Sequence, residues 1–329
     1  APLEVVLLEV EELKVTFPSE QGAVPAVRGA SFALAPGEAA ALVGESGSGK
    51  SVTALSLLRL LPSSARIDAR RVRFDGRDLA TLSEAELRRL RGREIGMVFQ
   101  EPMTSLNPVF AVGEQIGEVL RLHRALDRRA AESEVIALLG RVGISSPERR
   151  AKQYPHELSG GMKQRAMIAM ALACQPKLLI ADEPTTALDV TIQAQIMALL
   201  KDLQEELGMA VLLITHDLGV VAHFAETVHV MYAGKIVERA STRDIFAAPA
   251  HPYTRALLGA LPRPGNEGRR LEAIPGRVPH PSRLPKGCAF SPRCKFVMDR
   301  CPDDQPPLLH ASADHVAACW LLEDEPNDR

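Results

Sequence analysis

Long hydrophobic runs are missing from this sequence. Apolar stretches such as GMAVLLI (208–214), among the longest in the sequence, have the length of a strand and fall short of the roughly 18 residues that a membrane-spanning helix needs. Basic charge is not in excess either: the formal net charge is −2 over 329 residues, so we expect no nucleic-acid partner. The first residues, APLEVVLLEVEELKV, lack a basic n-region, so we expect a cytoplasmic location.

Short apolar runs alternate with helical stretches up to about residue 260, a rhythm typical of an α/β domain. The apolar runs predict strands at 13–17, 39–44, 95–99, 178–182 and 211–215. Ser83 and Glu86 have the spacing of a capping box, which predicts a helix start. Between Gln100 and Tyr154 the periodicity is helical, so we predict a helical insertion, with a subdomain over about 101–175.

Proline marks a change of character after residue 260. Eleven of the 24 prolines fall in residues 262–326, where few helical patterns occur. The sequence therefore predicts two domains, an α/β domain over residues 1–260 and a loop-rich extension over 261–329.

The strongest motif is GESGSGKS (44–51), the phosphate loop, which matches G-x-x-x-x-G-K-[ST] between a predicted strand and a predicted helix. Its glycines let backbone N–H groups face a polyphosphate, and the helix N-terminus adds partial positive charge. Lys50 would reach the β- and γ-phosphates, and the Ser51 hydroxyl would bind Mg²⁺. The predicted nucleotide-binding residues are Gly44, Glu45, Ser46, Gly47, Ser48, Gly49, Lys50, Ser51 and Val52.

Two acids follow the apolar run LLIAD (178–182). Asp182 would hold Mg²⁺ through a water, and Glu183 would polarise the attacking water. In isolation two acids after a strand also fit a solvated loop, but the phosphate loop in the same chain favours catalysis. His216, in ITHD (214–217), could contact the γ-phosphate, and an exposed structural histidine is the alternative.

Six motifs in order resemble the ATP-binding subunit of ABC transporters, over roughly residues 5–260. They are GESGSGKS, Gln100 in VFQEPMTSLNP, LSGGMKQR, ADEP, ALD (187–189) and THD. The resemblance implies an α/β fold, the P-loop NTPase fold of an ABC-type nucleotide-binding domain with a helical subdomain insertion. It also implies ATP and Mg²⁺ as cofactors and ATP hydrolysis as the activity.

In this family two such domains pack head to tail around two nucleotides. The resemblance implies that the start of the LSGG helix caps the γ-phosphate of the partner's ATP through Ser159, Gly160 and Gly161. Asp189 would couple the two sites, and Gln100 would contact Mg²⁺ and water, completing a catalytic set with Lys50, Glu183 and His216. Phe17 would stack on adenine, and a core phenylalanine is the alternative.

The motifs EPMTSLNP and HPYTRALLGALPRP (251–264) resemble importers of dipeptides and oligopeptides. SVTALS and SGGMKQR resemble the "D" type of ATPase subunit, which implies pairing with a homologous second ATPase, two membrane permease subunits and, indirectly, an extracytoplasmic solute-binding protein. The subunit would lie peripherally on the cytoplasmic face of the inner membrane. Some relatives import nickel or glutathione, so the cargo stays open. A soluble ABC ATPase acting on nucleic acid or ribosomes is the competing hypothesis.

Cysteine is rare except near the end of the chain. Cys174 is expected to be a small buried apolar residue. The other four have the spacing C-x5-C-x6-C-x17-C, at Cys288, Cys294, Cys301 and Cys319. The tight pairs of zinc ribbons are absent, and disulfides are disfavoured in the cytosol. Four thiolates can bind an iron–sulfur cluster, and the segment resembles the C-terminal segment of peptide-importer ATPases, which implies a 4Fe–4S cluster. Zinc and unliganded thiols remain alternatives.

Overall fold

A computed structural model describes residues 6–20, 22–100, 105–261 and 274–324 of the chain. Its strands are β1 Leu8–Phe17, β2 Val24–Leu34, β3 Ala39–Val43, β4 Arg66–Asp68, β5 Arg71–Phe74, β6 Arg77–Asp78, β7 Ile95–Val98, β8 Leu178–Asp182, β9 Ala210–Thr215, β10 Thr227–Tyr232, β11 Lys235–Ser241, β12 Leu309–His310 and β13 Val316–Ala317. Its helices are α1 Lys50–Leu57, α2 Glu84–Leu90, α3 Val112–Arg124, α4 Arg128–Arg141, α5 Pro147–Arg150, α6 Gly160–Leu172, α7 Val190–Leu207, α8 Leu218–Phe224, α9 Thr242–Ala247, α10 Pro252–Gly259 and α11 Leu321–Asp324.

Each predicted strand is present, although β1 begins at Leu8 instead of residue 13. Residues 101–104 of EPMTSLNP and 262–264 of HPYTRALLGALPRP lie outside the described residues. None of the helices that the structure describes is long and apolar enough to cross a membrane. The fold divides into two compact units, and the predicted boundary at residue 260 stays a prediction.

The first unit comprises the described residues among 35–39 and 81–213. Strands β7 and β8 and residues 210–213 of β9 belong to it; their order is β9-β8-β7, and β7 runs parallel to β8. Every residue of β8 is buried, as expected for an apolar run in a parallel sheet covered on both faces. Helices α3, α4 and α5 form the predicted helical insertion. The capping box is confirmed, because Ser83 Oγ accepts from the Glu86 N–H and Glu86 accepts from the Ser83 N–H.

The second unit comprises the described residues among 6–34, 40–80 and 214–324. One antiparallel sheet has the order β2-β1-β5-β6, with β4 also paired to β1. In the other sheet β3 pairs parallel with β10, and β11, β13 and β12 follow as antiparallel neighbours. The C-terminal extension therefore adds two short strands to the edge of this sheet.

The C-terminal extension also enters the hydrophobic core of the second unit. Ala289 and Phe290 are buried among residues of β3, β10 and α10, and Cys288 and Cys294 pack against the same cluster. The buried carboxylate of Glu238, on β11, accepts hydrogen bonds from the N–H groups of Ala250 and His251 and lies 2.7 Å from His315 Nε2. The proline-rich extension is thus loop-rich, as predicted, but its position is fixed by apolar burial and by a buried polar network.

Candidate functional site

The phosphate loop lies between β3 and α1, as the sequence predicts. Two of its glycines are required by close approaches of the backbone. A Cβ on Gly44 would collide with the Met231 carbonyl, and one on Gly49 would lie 2.7 Å from the Ala26 carbonyl oxygen. Gly49 also has φ +105°, in the left-handed region that favours glycine. The loop is closed by a hydrogen bond from the Gly234 N–H to the Ser48 carbonyl, 2.8 Å.

The Lys50 ammonium is buried within this loop. Its Nζ donates to the carbonyl oxygens of Gly44, 2.8 Å, and Glu45, 3.1 Å. The first turn of α1 contains no acidic residue, so the positive end of the helix dipole is not offset there. The loop residues Ser46 and Gly47 are exposed, while Ser51 and Val52 are half-buried at the start of α1. This arrangement can bind a polyphosphate through backbone N–H groups and one ammonium.

The predicted acids lie at the end of β8 in the first unit. Asp182 is buried, and Glu183 follows it with φ +45°, which is uncommon for a residue with a side chain. The Gln100 Nε2 donates to Glu183 Oε2 at 3.0 Å. The parallel pairing explains this contact, because Gln100 follows β7 and the carboxyl ends of β7 and β8 meet at one edge. The structure thus brings together two predicted residues that are 83 positions apart.

Thr186 contacts Glu183 and was not among the site residues that the sequence predicts. Its Oγ1 donates to Glu183 Oε2 at 2.9 Å, and its N–H donates to the Glu183 carbonyl at 3.1 Å. A threonine three residues after the acid is the sequence signal that could have indicated it, since hydroxyls at such spacing form local turns. The contacts hold the Glu183 carboxylate in one direction despite its unusual backbone.

The LSGG helix start and Asp189 are neighbours in the first unit. Ser159 caps α6 by accepting from the Met162 N–H, and Asp189 caps α7 by accepting from the Ile192 N–H. A Cβ on Gly161 would lie 2.9 Å from Ile192 Cγ2, so this glycine allows the two helix starts to approach. Ser159 and Gly160 are exposed, and the first N–H groups of a helix have no partner within it. An anion from outside this unit could therefore bind here.

Two further predicted residues lie in the second unit. Phe17 is the last residue of β1 and is half-buried, outside the buried hydrophobic core. His216 is exposed and precedes Asp217, whose carboxylate caps α8. Neither position contradicts the role implied by the resemblance, and both roles stay predictions.

The four late cysteines line one small cavity, together with His251, Phe290 and Trp320. None of them forms a disulfide. Backbone N–H groups point at two of the sulfurs, from Phe296 to Cys294 Sγ at 3.3 Å and from Met298 to Cys301 Sγ at 3.4 Å. Burial raises the pKa of the Cys319 thiol to about 11. The two N–H···S bonds suit thiolate ligands, whereas the raised pKa keeps the free Cys319 thiol protonated at neutral pH until a bound metal displaces the proton.

The predicted 4Fe–4S cluster is nevertheless not confirmed. Within the described ranges, no three His, Cys, Asp or Glu side chains converge closely enough to hold one metal ion. Cys174, expected to be buried, is half-buried.

Comparison with known proteins agrees with these features. Residues 27–186 match the family described as ABC transporter, and residues 237–301 match the family described as oligopeptide/dipeptide transporter, C-terminal region. The oligopeptide transport ATP-binding protein OppD of Salmonella typhimurium is 52% identical over 97% of this chain and 95% of that protein. The oligopeptide transport ATP-binding protein AppD of Bacillus subtilis is 51% identical over 97% of this chain and 98% of that protein.

Solved structures confirm the predicted fold class. One similar structure is a dimeric ATP-binding cassette in a post-hydrolysis state with ADP and phosphate. Its alignment with this chain covers 72% of this chain and 99% of the cassette, with TM-score 0.64 and 29% sequence identity. A second similar structure is a component of an ABC transporter complex from Clostridium perfringens. The alignment covers 74% of this chain and 92% of that component, with TM-score 0.62 and 31% sequence identity. The chain therefore belongs to the ABC transporter family, among its ATP-binding cassette proteins.

Proposed function

We propose that this chain is the ATP-hydrolysing subunit that powers import of dipeptides or oligopeptides through a membrane ABC transporter. The observation that carries the proposal is the match of residues 237–301 to the C-terminal region of oligopeptide/dipeptide transporters, next to an ATP-binding cassette. Relatives named oligopeptide transport ATP-binding proteins, similar over nearly the whole chain, support it. Import of another small solute is the second candidate.

ATP and Mg²⁺ are the cofactors of this reaction. In our proposal the N–H groups of the phosphate loop and the Lys50 ammonium bind the phosphates, while Ser51 and Asp182 hold Mg²⁺. Glu183 polarises the attacking water and Gln100 orients it. The hydrogen bond between Gln100 and Glu183 supports this pairing of roles, as does the unusual φ of Glu183, because strained residues cluster at functional sites.

The second ATPase of the transporter would complete the catalytic cycle. We infer that Ser159, Gly160 and Gly161 bind the γ-phosphate of the partner subunit's ATP, with Asp189 beside them. The exposure of this helix start supports the inference. Two permease subunits and, indirectly, a solute-binding protein are the remaining proposed partners. We therefore propose a peripheral position on the cytoplasmic face of the inner membrane.

For the cysteine cavity we propose a 4Fe–4S cluster held by Cys288, Cys294, Cys301 and Cys319. The cavity they share and the N–H···S bonds support it. When bound, such a group supplies a rigid four-point link among loops, and we assign it this structural role. Anaerobically purified protein should contain about four iron and four sulfide per chain. Cys319→Ser should lower that content, whereas the matched control Cys174→Ser should keep it; equal iron in both variants contradicts the assignment.

The transport proposal is tested on the assembled complex. Affinity purification of the tagged chain from detergent-solubilised native membranes should recover two permeases and a homologous ATPase. The Glu183→Gln variant should bind ATP but accumulate as a closed ATPase dimer, because water is no longer polarised. Recovery of ribosomal or nucleic-acid partners without a permease contradicts the transport role, and normal turnover at this site in Glu183→Gln contradicts the role of Glu183.

A further inference from the structure

The phosphate loop is joined to the C-terminal extension through Glu45. Both oxygens of this carboxylate are paired with the guanidinium of Arg293: Nη1 lies 3.1 Å from Oε1, and Nη2 lies 3.1 Å from Oε2. This is the bidentate geometry in which arginine binds a carboxylate most strongly. Arg293 is 248 residues away in the sequence and directly precedes Cys294. The second residue of the phosphate loop is therefore held by the segment that carries the cysteines.

Arg293 is itself held by several contacts. Its Nε donates to the Pro275 carbonyl at 2.8 Å, and its Nη1 donates to Tyr232 Oη at 3.3 Å. The guanidinium carbon lies 5.8 Å and 5.9 Å from the ring centroids of Tyr232 and Phe290. Only 5% of the side chain is exposed. A guanidinium with so many fixed partners has one position, and it imposes that position on the Glu45 carboxylate.

A second contact fixes the backbone of the same loop residue. The Glu45 N–H donates to Tyr253 Oη, on α10, at 2.9 Å. On its other side the Glu45 carbonyl accepts from the Lys50 ammonium at 3.1 Å. Arg293 and Tyr253 thus set the position of the residue against which Lys50 rests, so they control the shape that the loop offers to phosphates.

The charge of Glu45 gives the ion pair a further consequence. A free carboxylate in a phosphate-binding loop would repel a bound triphosphate, and partial burial strengthens that repulsion. Pairing with Arg293 neutralises the carboxylate and turns it toward the extension. The pair therefore removes an unfavourable charge from the site while it holds the loop.

We propose that Arg293 is a positioning residue for ATP binding, acting through Glu45 together with Tyr253. The C-terminal extension is then a structural part of this chain's own nucleotide site. The inference rests on the proposed function in one respect, because it takes a nucleoside triphosphate as the ligand of the phosphate loop.

The test measures ATP affinity of the purified full chain with a fluorescent ATP analogue. Arg293→Met should weaken binding about tenfold, because the apolar side chain can keep contact with the rings of Tyr232 and Phe290 but releases the Glu45 carboxylate. Arg293→Lys, which keeps the charge and loses the fork, should be intermediate. Tyr253→Phe, which deletes one oxygen atom, should weaken binding about threefold. Arg283→Met, at an exposed position of the same extension, is the matched control and should bind as the parent does.

Two further measurements separate positioning from general destabilisation. In ATPase assays, KM for ATP should rise in Arg293→Met while kcat at saturating ATP changes less than about twofold. In a Glu45→Gln background, Arg293→Met should cost less than about threefold, because no carboxylate remains to be released. A tenfold loss in that background would show that Arg293 does not act through Glu45 and would overturn the proposal.

The remaining outcomes are also decisive. If Arg293→Met does not fold, Arg293→Lys and Tyr253→Phe settle the question, and unchanged ATP affinity in both overturns the proposal. Failure of the premise that the phosphate loop binds a nucleoside triphosphate gives a different result, since the parent chain would then bind no ATP, and failure of the transport role alone leaves these ATP affinities unchanged. The Lys50→Ala variant should not bind ATP, whether or not Arg293 is a positioning residue. If Lys50→Ala loses ATP binding while the Arg293 and Tyr253 variants bind as the parent does, the role of Arg293 is rejected and the nucleotide-binding role of the phosphate loop stands.

Discussion

His229 should make this protein sensitive to acid. The residue lies on β10, fully buried against the ring of Phe32, and neither ring nitrogen has a hydrogen-bond partner among the described residues. Burial, with a smaller contribution from the charge of Arg239, lowers the pKa of His229 to about 3 from its ordinary 6.5. The folded state therefore holds this imidazole neutral under conditions in which the unfolded chain protonates it.

The sign and the magnitude follow from linkage. Between pH 6.5 and pH 3 the unfolded state binds more protons, so the free energy of unfolding falls as the pH falls through this range. At about 1.36 kcal/mol per unit of pKa, the loss from pH 8 to pH 5 is about 2 kcal/mol. For a chain of this length that corresponds to about 3 °C in the unfolding midpoint.

The assay compares thermal unfolding of the parent and of His229→Leu at pH 8 and pH 5. The parent should lose about 3 °C more than the variant between the two pH values. At pH 8 the variant should be at least as stable, because it buries no unsatisfied polar atoms. His223→Leu, an exposed position on α8, is the control and should behave as the parent does. An equal loss of midpoint in the parent and in His229→Leu would refute the reasoning.

Other consequences follow from single contacts. Ser83→Ala removes a capping box and should lower the free energy of unfolding by about 1 kcal/mol, measured as a midpoint shift of roughly 1–2 °C; no shift would argue that the cap contributes nothing. Gly161→Ala should reduce ATPase activity of the assembled complex strongly and Gly160→Ala only mildly, since only the first introduces a close contact; equal effects would contradict the packing argument. Glu238→Gln should lower the free energy of unfolding by about 1–3 kcal/mol, because an amide nitrogen cannot accept the hydrogen bonds that the two carboxylate oxygens accept from Ala250 and His251; an unchanged midpoint would show that the network is not needed.

The sequence by itself determined the elements and most of the predicted chemistry. Continuous apolar runs identify buried parallel strands, and β3, β8 and β9 lie where those runs predict them. The phosphate loop is equally readable, because its glycines, its lysine and its hydroxyl follow one another within eight residues. Local patterns of this kind determine the local backbone conformation, because the interactions that stabilise it join residues only a few positions apart.

Only the tertiary structure decided which distant residues meet. The pairing of Gln100 with Glu183 depends on β7 and β8 being parallel neighbours, and no local pattern states which strands pair. The ion pair of Glu45 with Arg293 joins residues 248 positions apart, and an arginine in a proline-rich segment resembles any exposed arginine in sequence. Burial is the reason for the second pair: folding removes the Arg293 guanidinium from water, and it must then find partners that the chain supplies only after it has folded.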